Sequence, residues 1–202
     1  MIYNIYLNKI VKVFKLSVYI LTGQIGSGKT EAVKIFKKLG FSCFCADEVV
    51  RELYKEKNVL LNINRIYPDS VINGTVNREL LRKKIFTDIE VMEKIENYIQ
   101  PLVFIEFNKI EKIYKNKLIF IIPIINNSSF FKNHKIIYIN ANEEIRKKRL
   151  QKRKNYNINM INNIIKYQKR IDKYKNNSKH IIENNSTLSD LEKKIKIILN
   201  YL

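Results

Sequence analysis

Apolar and polar positions along this chain switch between two periods. SVYILTG is a short apolar run closed by Gly23 and reads as a buried strand. In the following EAVKIFKKLG, Ala32, Val33, Ile35, Phe36 and Leu39 recur at helical spacing, and Gly40 ends the pattern. FSCFCAD reads as a second strand and EVVRELYKE as a helix that begins beside Asp47. From about 56 to 116 the chain becomes helical, broken by YPDSVINGTVN with its Pro68 and Asn73-Gly74 turn signals, which predicts an inserted helical subdomain. Strand character resumes in KLIFIIPI, with Pro123 at the strand end, and in HKIIYINAN, whose final Asn142 precedes the acid-led helix EEIRKKRLQKR. A basic helical stretch over about 157–175, the short strand HIIENN and the helix LSDLEKKIKIILNYL complete the pattern. Strand and helix in alternation predict an α/β fold with a parallel sheet flanked by helices.

Composition narrows the class. A chain of 202 residues that is 46% hydrophobic and 28% charged can build one folded domain with a proper core, which excludes disorder throughout. The longest apolar run, 118–125, is far short of the roughly 20 residues a membrane span needs. Cys43 and Cys45 sit two apart, so an extended chain points them the same way without room for an unstrained bridge. A reducing compartment, the cytoplasm, fits. Residues 1–16 alternate lysines with apolar positions and carry neither a secretory nor a transit signature. We read them as an extension, either an added strand or residues upstream of the true start, ahead of a single domain over 17–202. Lys and Arg number 38 against 19 Asp and Glu, a formal charge of +19. The excess of Lys, Asn and Ile with few Gly and Pro is the drift of an A/T-rich coding background, so the charge alone does not argue for nucleic acid or an anionic membrane. Phosphate-rich ligands are compatible with it.

The chemistry is concentrated in one string. Gly23-Gln24-Ile25-Gly26-Ser27-Gly28-Lys29-Thr30 is a complete G-x-x-x-x-G-K-[ST] set between an apolar strand and an amphipathic helix, the context a phosphate loop requires. Such a loop aims successive backbone N–H groups at phosphate oxygens, at the positive end of the following helix. Lys29 bridges the β- and γ-phosphates of ATP in this reading, and Thr30 offers its hydroxyl to Mg²⁺. Asp47, at the end of the second strand, opens onto the same sheet edge and suits an acceptor-facing carboxylate, with a helix N-cap as the alternative. Arg149 and Arg153, four apart on one predicted helix, share a face and suit phosphate oxygens in a lid over about 146–175. His134 and His180 lack ligand-like partners in the sequence, and surface positions are expected for both.

These motifs carry a family resemblance. In order, and over roughly residues 17–195, ILTGQIGSGKT, FKKLGFSCFCADEVVREL, NGTVNRELLRKKIF, RLQKR, Gln168 and HIIENN resemble the dephospho-coenzyme A kinases, P-loop enzymes of the last step in coenzyme A synthesis. The resemblance implies a P-loop kinase fold with a helical acceptor-binding subdomain and a helical lid. It also implies transfer of the ATP γ-phosphoryl group to the ribose 3′-hydroxyl of dephospho-coenzyme A, with Mg²⁺. No nucleic-acid or membrane partner is expected, and the expected state is a monomer, with an oligomer as the alternative. Residue by residue, Asp47 corresponds to the catalytic carboxylate, residues 26–30 to the ATP loop, Arg149 and Arg153 to the lid cations and Arg78 to the acceptor-side arginine. Asn184 falls near where the family holds the adenine of ATP.

Departures fall mostly on the acceptor side. The usual Asp-Ala-Asp is Cys45-Ala46-Asp47 here, a His-Pro pair is Gln100-Pro101, a Pro-Leu-Leu-x-Glu motif is Pro123-Ile124-Ile125-Asn126-Asn127, and an Ala-Asp pair is Ser178-Lys179. Gln100 can still hydrogen-bond where His does, whereas Asn127 cannot supply a carboxylate's charge. Alternatives are another small-molecule or nucleoside monophosphate P-loop kinase, or a degenerate ATP-binding homologue. A nucleic-acid-binding protein fits the charge, but its aromatics are not interleaved with basic residues in a binding motif.

Overall fold

The computed structural model describes residues 18–114, 117–123, 134–154, 156–169 and 172–200. The predicted extension over 1–16 and the sequence positions 124–127 lie outside them. Five parallel strands form the central sheet: β1 (Val18–Thr22), β2 (Ser42–Cys45), β5 (Leu118–Ile121), β6 (Lys135–Asn140) and β7 (His180–Glu183), in the order β2-β5-β1-β6-β7. All are short, and the three central ones, β1, β5 and β6, are dominated by branched or aromatic residues, the composition of strands covered on both faces.

Side-chain alternation divides the core in two. On one face Ile20, Leu118, Phe120, Ile136 and Tyr138 pack against α2 (Ala46–Leu53), α3 (Lys57–Ile66), α4 (Arg78–Thr87) and α5 (Ile89–Ile113). On the other, Tyr19, Leu21, Ile119, Ile121, Ile137 and Ile139 pack against α1 (Lys29–Lys38) and α9 (Leu188–Leu199). The register keeps the faces in step, with Leu21 opposite both Ile121 and Ile137. Cys43 and Cys45 share this second face as free thiols, and burial pushes the Cys43 thiol up to about 11.

Between α3 and α4 a 3₁₀ turn (Pro68–Ser70) leads into a hairpin of β3 (Val71–Ile72) and β4 (Thr75–Val76). Asn73 and Gly74 turn it with φ of 50° and 72°, the paired positive angles of a tight hairpin turn. Asn77 caps α4 by accepting from the N–H groups of Glu79 and Leu80. Asp88 caps α5, which runs 25 residues through Pro101. After β6 come α6 (Glu143–Gln151), α7 (Ile158–Gln168) and α8 (Asp172–Asn176).

Several boundaries differ from the pattern. The apolar run at 118 yields a strand of only four residues; just past it the Ile122 N–H donates to the Leu21 carbonyl and the Thr22 hydroxyl donates to the Ile122 carbonyl. The helix expected beside Asp47 starts one residue earlier at Ala46; its N-cap position is Cys45, so Asp47 lies inside the first turn and does not cap. Helix α6 ends at Gln151, which leaves Arg153 in the following turn rather than on the helix with Arg149. The histidines are not simple surface residues: the His134 ring is packed 3.1 Å from a Glu111 carboxylate oxygen, and His180 carries a buried ring nitrogen.

At the centre of the first face, Phe107 of α5 stacks on Phe120 of β5 with ring centroids 4.3 Å apart and planes 17° from parallel. Both are fully buried. Phe107→Ala is expected to remove about 3–5 kcal/mol of unfolding free energy, read from denaturant titration.

Candidate active site

The chain leaves β1 through the loop 23–28, and three left-handed glycines bend it back over the sheet edge. Gly23 has φ of 143°, and a Cβ there would fall 2.2 Å from the backbone carbonyl oxygen of Ile139 on β6. Gly28, at φ of 101°, closes the loop as the N-cap residue of α1, and a Cβ there would meet the Asn184 amide at 2.1 Å. Only glycine satisfies both positions. The loop is then pinned by Asn184, which is buried at the end of β7 and donates from Nδ2 to the Ser27 carbonyl at 2.7 Å.

A cavity of about 1020 Å³ opens in front of this loop. Ile25, Gly26, Gly28, Lys29 and Thr30 line one side, with Asp47, Arg78, Arg149, Arg153 and Asn184 around it. Asp47 stands where β2 passes into α2, and β2 is separated from β1 by β5 alone. Two strand spacings, about 10 Å, therefore separate the phosphate loop from the strand end that carries the carboxylate. Arg149 reaches the loop directly: its Nη1 donates to the Gly26 and Ser27 carbonyls at 3.3 and 3.4 Å, and its Nη2 to the Asn184 carbonyl at 3.1 Å. Arg153 reaches the cavity from the turn after α6, where its N–H bonds the Leu150 carbonyl. Arg78 occupies the first turn of α4, against the helix dipole's preference for acidic residues there.

Not every expected residue faces the cavity. Gly23 and Ser27 form the loop's back, and Gln24 turns its side chain away to donate to Asp172. Gln100 is half-buried along α5 beside Pro101 and does not line the cavity, because the inward stripe of that helix is filled by Ile95, Ile99, Val103 and Phe107.

A family model for dephospho-CoA kinase matches residues 17–190. The chain belongs to the dephospho-CoA kinase family. The dephospho-CoA kinase of Fusobacterium nucleatum is 29% identical over 180 residues, covering 87% of this chain and 93% of that one. The enzyme of that name from gamma-proteobacterium EBAC31A08 is 32% identical over 185 residues, covering 88% and 93%. Among solved structures, a Thermus thermophilus protein superposes with a TM-score of 0.74 at 22% identity, over 93% of this chain and 98% of that one. Dephospho-CoA kinase from Campylobacter jejuni gives 0.58 at 19%, over 92% and 97%. At these identities the two structures speak for the fold alone, a P-loop kinase sheet flanked by helices.

This dephospho-CoA kinase family member also lines its cavity with residues to which its recognisable motifs assign no role. Arg82 and Phe86 follow Arg78 at four-residue steps on α4, a spacing that could have flagged them as one face. The Arg82 guanidinium lies 5.3 Å from the Phe86 ring centroid and 4.7 Å from that of Tyr156, so α4 meets the segment between α6 and α7 through a cation held between aromatics. No signal in the Asn-rich stretch around Tyr156 marks that residue. Tyr54 completes the wall near Asp47; burial pushes its phenol up to about 12, with Arg78 opposing and Asp47 adding to the effect.

Lys29 folds its ammonium onto the Gly23 and Gln24 carbonyls at 2.6 and 3.0 Å. Burial pulls its pKa down to about 8; Asp47 opposes this, and Arg153 and Arg146 add to it. Below pH 8 the side chain is charged, and above it the free kinase loses that charge. A triphosphate favours the charged form, so nucleotide binding above pH 8 must take up a proton. The Kd for ATP is expected to be flat up to about pH 8 and then to rise by up to about tenfold per pH unit in calorimetric titration, with proton uptake visible as buffer-dependent heat.

Proposed function

We propose that this kinase transfers the γ-phosphoryl group of ATP to the ribose 3′-hydroxyl of dephospho-CoA, releasing CoA and ADP. The observation that carries the reading is the meeting, on one cavity, of the phosphate loop with a strand-end carboxylate and four arginines, two from α4, one from α6 and one from the turn after α6. The triphosphate lies along the loop, with N–H groups of 26–30 on its oxygens and Lys29 at the β- and γ-phosphates. Arg149 and Arg153 stand on the lid side, where they follow negative charge as it moves. Asn184, fixed at the loop's flank, borders the ATP end.

Across the cavity, Arg78 takes a phosphate of the acceptor, and Asp47 orients the sugar hydroxyl and accepts its proton as the new O–P bond forms. The bond between the γ-phosphorus and the bridging oxygen breaks in the same displacement, leaving ADP. The Thr30 hydroxyl and the Asp47 carboxylate, both oxygen donors open to this cavity, suit Mg²⁺, a hard cation bound chiefly through phosphates and water. When bound there, that ion would offset negative charge on the triphosphate. Closing the lid excludes water, which would otherwise compete with the sugar hydroxyl.

Asp47→Asn is expected to lower kcat by about 10²–10⁴ while leaving ATP affinity within about threefold of the unsubstituted kinase, measured by steady-state rates and equilibrium titration. A near-normal rate rejects Asp47 as the base. Assayed with ATP and Mg²⁺ against a panel of alcohols and nucleotides, the purified protein is expected to phosphorylate dephospho-CoA preferentially. Turnover of another acceptor with none of dephospho-CoA would overturn the proposal.

A further inference from the structure

The phosphate loop is gripped at Gln24 and Ile25 by side chains to which the proposed transfer assigns no role: Asp172, away from the cavity, and Gln168, at its border. Gln24 is buried, and its Nε2 donates to Oδ1 of Asp172, which stands 148 residues away at the start of α8. The same Asp172 oxygen accepts from the Tyr138 hydroxyl at 3.1 Å. One residue beyond Gln24, the Ile25 N–H donates to Oε1 of Gln168 at 2.6 Å, and Gln168 is buried at the end of α7. Two consecutive loop residues are thus tied to the two helices that follow Arg153.

We infer that Asp172 and Gln168 are positioning residues for the phosphate loop. Asp172 holds Gln24 from behind and Gln168 holds Ile25 at the cavity's border; together they keep the next N–H groups aimed into the cavity and make that aim depend on where α7 and α8 sit. The inference rests on the nucleotide-binding half of the function proposed above and is independent of which acceptor is used.

The physical argument concerns preorganisation. A loop bent by glycines has many accessible shapes, and each must be lost when a triphosphate binds unless the free protein has already selected the right one. Backbone donors can converge on an anion only while the neighbouring peptides are held facing elsewhere. The Ile25 N–H is held in that way, because Gln168 occupies it. Asp172 serves as a double acceptor, for the Gln24 amide and the Tyr138 hydroxyl, and both donors remain protonated at neutral pH. Burial and Asp172 itself push the Tyr138 phenol further from ionisation. Arg146 reinforces the same back wall: it is buried, donates from Nε to the Ala141 carbonyl at 3.1 Å, and its backbone would meet a Cβ on Gly26 at 3.0 Å. The requirement on residue 172 is therefore an oxygen acceptor in place rather than a negative charge. That separates its role from those of Asp47 and the lid arginines.

The test is ATP titration of the full chain without acceptor, followed by steady-state kinetics with each substrate varied. Asp172→Ala is expected to weaken ATP binding by about tenfold and to raise KM for ATP in parallel, with KM for dephospho-CoA within about twofold. Asp172→Asn keeps a carbonyl oxygen at the same place and is expected to stay within about threefold of the unsubstituted chain. Gln168→Met removes the acceptor from the Ile25 N–H without emptying its space and is expected to follow Asp172→Ala, so the inference is tested even if one variant fails to fold. Combining Gln24→Ala with Asp172→Ala is expected to be no worse for ATP than either alone, as for partners in one contact. Unchanged ATP affinity in folded Asp172→Ala and Gln168→Met would overturn the inference, as would equal loss for both substrates or an Asp172→Asn as impaired as Asp172→Ala. Failure of the unsubstituted protein to bind ATP would instead overturn the functional reading beneath it.

Discussion

Everything in this molecule depends on how closely one bend of backbone can lie against its neighbours. The loop after β1 rests on the Ile139 carbonyl, the Arg146 backbone and the Asn184 amide, each at a distance that leaves no space for a side chain. That intimacy turns the loop into a cradle. A looser bend would let water reach the back of the peptides and leave their donors pointing in several directions, and an anion would then have to order them as it bound. Preorganised donors act on charge without that reorganisation, the usual source of electrostatic catalysis.

The sheet supplies the second dimension. With β5 between β2 and β1, the carboxylate and the cradle come from strand ends separated by a fixed spacing. Parallel strands put both ends at the same edge, so a chain distance of some two dozen residues becomes a gap of about 10 Å. Helices α4 and α6 then bring arginines to the rim from opposite directions. Arg82, held between Phe86 and Tyr156, shows that this rim is not only cationic: the aromatic rings fix where a guanidinium sits and so limit how far α4 and the segment around Tyr156 can separate without breaking the contact.

Much of this was legible before any coordinates, where local chemistry decides the outcome. The phosphate loop was plain because its glycines, Lys29 and Thr30 are dictated by backbone geometry and ligand charge, and both leave marks in the string itself. The strand-helix alternation was plain because burial on two faces demands apolar runs. Asp47 was found by topology. What escaped were features set by packing between distant segments. Nothing local says that Gln24 turns its amide backward, since its partner Asp172 lies in a different part of the chain. Arg153 carries the right charge at the expected spacing, yet the helix stops at Gln151 and the side chain arrives from a turn. Gln100 was placed by motif correspondence alone, and the apolar stripe of α5 takes the inward direction. His134 was expected at the surface because its partner Glu111 belongs to another element.

The alternation of side chains along β1, β5 and β6 has a consequence for how such an enzyme can change over time. Each strand sends its odd and even positions into separate interiors, one beneath the helices that carry Arg78 and Arg82, the other beneath the helix that follows the cradle. Mutations buried under one roof are screened from the other by the backbone layer itself and combine almost independently. A lineage can therefore rebuild the packing beneath the helices that carry Arg78 and Arg82 while the support of the cradle stays still.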